Sequence, residues 1–70
     1  MKSHDRILYK ALLSFYRAQR DEARATLEVY FHNSVGIGEH SSLLGEMKNW
    51  AIKLGEAEEV IEVLEKYFKD

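Results

Sequence analysis

Four groups of residues in this sequence have types and spacings that could do chemistry. The segment Val35-Gly36-Ile37-Gly38-Glu39-His40-Ser41 places a Gly-x-Gly before a helix start, where free backbone N–H groups and the helix dipole can hold an anion. Gly36, Gly38, Glu39 and His40 would be the ligand-facing part of such a loop. The segment follows a helix rather than a strand, and it lacks the lysine of a P-loop and the third glycine of a dinucleotide fingerprint. A tight connection therefore explains it better. His32, Glu39 and His40 carry metal-ligand chemistry, but their spacing gives no i, i+4 pair on a helix, and no metal or other cofactor is expected. Arg6, Lys10, Arg17, Arg20 and Arg24 form a basic stripe at three- and four-residue spacing, the pattern that could track a phosphate backbone. Finally, Glu56, Glu59 and Glu62 recur every three residues, so neighbouring carboxylates share a helix face and could hold Mg²⁺.

Each group also has a plainer reading. The segment from Lys53 to Glu62 resembles the acidic helix of all-α nucleoside-triphosphate pyrophosphohydrolases of the MazG type. That resemblance would imply Mg²⁺-dependent phosphohydrolysis using Glu56, Glu59 and Glu62. It also requires a second acidic pair on another helix, and the chain offers no clean Glu-x-x-Asp; a solvated acidic face is the simpler account. The arginine stripe is interrupted by Asp21, Glu22 and Glu28. In an antiparallel arrangement it would face acidic residues of the second half, with Arg17 near Glu56 and Glu59 and Lys10 near Glu62. Nucleic acid is thus a disfavoured partner. No catalytic residues are assigned, and a non-enzyme is expected.

The elements that must position these groups are two helices. Residues 3–31 contain neither Gly nor Pro and are rich in Leu, Ala, Arg and Glu, which favour helix. A helix over about 3–31, a loop over about 32–41 and a second helix over about 42–69 follow, with Asn33 just past the first helix and Ser41 or Ser42 capping the second. The matched lengths predict an all-α antiparallel helical hairpin spanning the whole chain as one domain. In the second helix Leu43, Met47, Trp50, Leu54, Ala57, Ile61, Leu64 and Phe68 step by alternating fours and threes, an unbroken heptad seam. In the first, Tyr9, Leu12, Tyr16, Ala23 and Tyr30 keep that spacing, while Gln19 and Thr26 fill two seam positions. Gly45 and Gly55 interrupt the second helix, each costing about 1 kcal/mol relative to Ala. Gly55, beside Leu54, could alternatively mark a close helix approach.

The chain has 70 residues, 46% apolar and 31% charged, with ten Lys and Arg against twelve Asp and Glu, and no Cys. That composition excludes a disordered tail, a disulfide scaffold and a Cys-based zinc site. No apolar run approaches the roughly 18 residues of a membrane span, and residues 1–6 lead into no signal-peptide segment. A cytoplasmic protein with no membrane partner is expected. From Ile7 to Ala18 the first helix is apolar around most of its circumference, more than one partner helix can cover. Small chains without a disulfide or metal commonly gain stability by association. A homodimeric four-helix bundle is the simplest closed form, with Leu12, Phe15, Tyr16, Met47, Trp50, Leu54, Ile61 and Leu64 at its interface. A heterologous protein partner or a higher oligomer is the alternative.

The stretch from Asn33 to Ser41, followed by an acidic–apolar helix ending Val63-Leu64-Glu65-Lys66-Tyr67-Phe68, resembles a group of small uncharacterised proteins of T4-like marine and cyanobacterial phages. The resemblance covers roughly Val29 to Phe68 and rests on the Val-Gly-Ile-Gly-Glu-His-Ser core. It implies a phage or bacterial-cytoplasm setting and brings no activity with it. The expectation from the sequence is a small, non-catalytic, self-associating interaction or adaptor protein. Its rivals are the Mg²⁺-dependent phosphohydrolase and the nucleic-acid-binding hairpin.

Overall fold

The lack of Gly and Pro before residue 36 lets one helix run unbroken for 31 residues. In the computed structural model α1 spans Ser3–Asn33 and α2 spans His40–Phe68. The model describes residues 3–33 and 40–69, with the side chains of residues 6–33 and 42–69. The two helices pack against each other as an antiparallel hairpin. The molecule is a rod of 53 × 14 × 14 Å with a Cα radius of gyration of 16.0 Å. A compact chain of this length would have a radius near 11 Å, so the hairpin has no third layer.

Both helices differ slightly from the ranges read from sequence, and α2 ends at Phe68 rather than at residue 69. Asn33 is the last residue of α1 rather than the one after it, and α2 begins at His40. Ser41 and Ser42 therefore sit in the first turn of α2 instead of capping it.

The seam is a paired heptad stripe. On α2 it comprises Leu43, Met47, Trp50, Leu54, Ala57, Ile61 and Leu64, each buried or half-buried. Phe68, the last seam position expected, is mostly exposed. On α1 the stripe is Tyr9, Leu13, Tyr16, Arg20, Ala23, Leu27 and Tyr30. This corrects the sequence reading at Leu12, which is exposed while Leu13 is buried; Arg20 and Leu27 join the stripe beside Gln19 and Thr26, which are half-buried as expected. The two versions share Tyr9, Tyr16, Ala23 and Tyr30. Turning the stripe toward Leu13 and Leu27 buries two leucines and keeps Gln19 half-buried at its edge, where it bonds α2. Arg20 is half-buried, and its Nε donates to Asp21 Oδ1 at 3.0 Å.

Ala23 and Ala57 have no exposed surface at all. They occupy the middle of the two stripes, where a small side chain lets two helix backbones approach. Leu13, Leu27, Leu43 and Ile61 fill the seam on either side. The glycines do not take part in this approach. A Cβ at Gly45 or at Gly55 would meet nothing within 4 Å, which overturns the close-approach reading of Gly55.

Candidate interaction surface

Cross-helix polar bonds fix how the faces of α1 and α2 align. Gln19 Nε2 donates to the Lys53 carbonyl at 3.0 Å and to Glu56 Oε1 at 2.9 Å. Tyr30 donates its hydroxyl proton to Glu46 at 3.0 Å. That hydrogen bond, with lesser contributions from desolvation and from the Glu46 charge, raises the Tyr30 pKa above the ordinary tyrosine value. These contacts define one flank of the hairpin. Phe15, Ala18, Gln19, Glu22 and Lys53 line a shallow groove of about 440 Å³ along it.

The opposite flank is ionic. Arg17 reaches Glu65 at 3.2 Å, and Arg24 pairs with Glu28 one turn on, at 3.4 Å. Arg20, Glu58, Glu62, Glu65, Lys66 and Lys69, with Ile61 at its base, surround a groove of about 520 Å³. Arg17 was expected opposite Glu56 and Glu59; Glu56 instead lies on the other flank, held by Gln19, and Arg17 pairs further along α2. Such exposed ion pairs contribute about 0–1 kcal/mol each. Three of the stripe cations, Arg17, Arg20 and Arg24, are thus engaged by carboxylates of the same chain.

The residues read as interface from the sequence fall into two sets. Tyr16, Met47, Trp50, Leu54, Ile61 and Leu64 lie in the seam between α1 and α2. Trp50 is half-buried, and Lys53 Nζ sits 4.4 Å from its ring centroid, a cation–π contact that covers an aromatic face. Leu12 and Phe15 lie outside the seam; Phe15 is 62% exposed and stacks edge-on against Tyr16 with centroids 5.1 Å apart. Leu8, at 66% exposure, and Tyr67, at 64%, belong to the same uncovered set. Leu8 and Tyr67 were absent from the sequence-based interface, although the heptads Leu8–Phe15 and Val60–Tyr67 mark them as a second stripe.

Gly36, Gly38 and Glu39 lie outside the described residues. His40 opens α2, and its side chain is outside them as well. His32 is exposed in the last turn of α1. Among the described residues, no three His, Asp or Glu side chains gather closely enough to hold a metal ion. Among the same residues, no helix is long and apolar enough to cross a membrane. Comparison with protein-family models, with curated proteins and with solved structures finds no match to this chain.

Proposed function

We propose that this chain is a small non-catalytic interaction protein that works as a self-associated helical hairpin. The observation that carries the reading is the uncovered apolar surface beside the seam, formed by Leu8, Leu12, Phe15 and Tyr67. Large side chains left in water this way oppose a lone hairpin and favour a closed assembly. A homodimer with four helices side by side is the simplest form that covers them. The cytoplasmic and phage settings belong to the same proposal, and the second rests on the sequence resemblance alone.

The rival readings have less support. Glu56 is bonded to Gln19, and the acidic residues of α2 are spread between two flanks. The arginines already pair with Asp21, Glu28 and Glu65.

The deciding measurement is solution mass by sedimentation across a dilution series. Twice the chain mass at high concentration, falling on dilution, is the expected result. A monomer mass throughout would overturn the proposal. Mg²⁺-dependent pyrophosphate release from nucleotides would overturn its non-catalytic part. Salt-sensitive nucleic-acid binding weakened by Arg17→Ala would favour the third reading.

A further inference from the structure

We draw no further inference here: the strongest candidate, the apolar surface patch of Leu8, Leu12, Phe15 and Tyr67 on the flank of the hairpin, carries nothing, because Phe31, Leu44 and Ile52 are exposed on other faces of the rod and nothing in the structure shows what covers any of them.

Discussion

Tyr30 holds its proton more tightly in the folded chain because its hydroxyl bonds Glu46 and a phenolate there would face a carboxylate. A folded pKa raised above the unfolded one contributes stability that is complete below the ordinary tyrosine value near 10. That contribution is lost as pH rises through the higher folded value. Tyr30→Phe should therefore lower the melting temperature at neutral pH, and the gap to wild type should close above pH ~10. Melts followed by circular dichroism between neutral and alkaline pH check this; a gap that stays constant would count against the bond. The seam gives a second contrast at the same scale. Ile61 is buried and Leu12 is not, so Ile61→Ala should cost about 2–5 kcal/mol through lost burial and a residual cavity. Leu12→Ala should cost under about 1 kcal/mol in the isolated hairpin. Urea titrations at low concentration, where any assembly is dissociated, separate the two.

The second helix was readable position by position as far as Leu64, because its apolar residues form one stripe against a polar background. The first was readable as a helix but not in its rotation. Ile7 to Ala18 is apolar on most sides, so Leu12 and Leu13 were both plausible seam residues. The rotation is decided by tertiary contact: Leu13 is buried and Leu12 is not, while Gln19 reaches a carbonyl and a carboxylate of α2. The ion-pair register misled for a related reason, since Arg17 and Glu56 are at plausible heights but on opposite sides of the rod. The two-helix division needed none of this: it followed from the Gly-free run before residue 36 and the Gly-x-Gly after it, and the antiparallel path from the matched helix lengths. The Gly-x-Gly loop falls mainly outside the described residues. Gly45 and Gly55 belong to the same scale. Both lie within α2 with open space where a side chain would be. Gly45→Ala and Gly55→Ala should each stabilise the hairpin by about 1 kcal/mol or somewhat less. Thermal melts should show the two gains to be nearly additive, as expected for distant sites without shared partners. A loss of stability at Gly55 would restore the close-approach reading.

At the scale of the molecule, the rod shape and the uncovered Leu8, Leu12 and Phe15 bear on stability as well as on partners. Two helices sharing one seam leave a small margin between burial and chain entropy. If pairing supplies the remainder, the melting temperature should climb with protein concentration. It should stop doing so in Phe15→Glu. Calorimetry over a hundredfold concentration range tests this; a midpoint independent of concentration in the wild type would point to a self-sufficient monomer.

The position of Trp50 separates two signals that usually arrive together. It is the sole indole in the chain and lies in the seam of the loop-proximal half, with the Lys53 ammonium over its ring. Its fluorescence should therefore follow the closing of α1 onto α2 and be nearly blind to a second copy seated over Leu8, Phe15 and Tyr67. A dilution that splits the pair would then leave the emission maximum in place while the anisotropy falls.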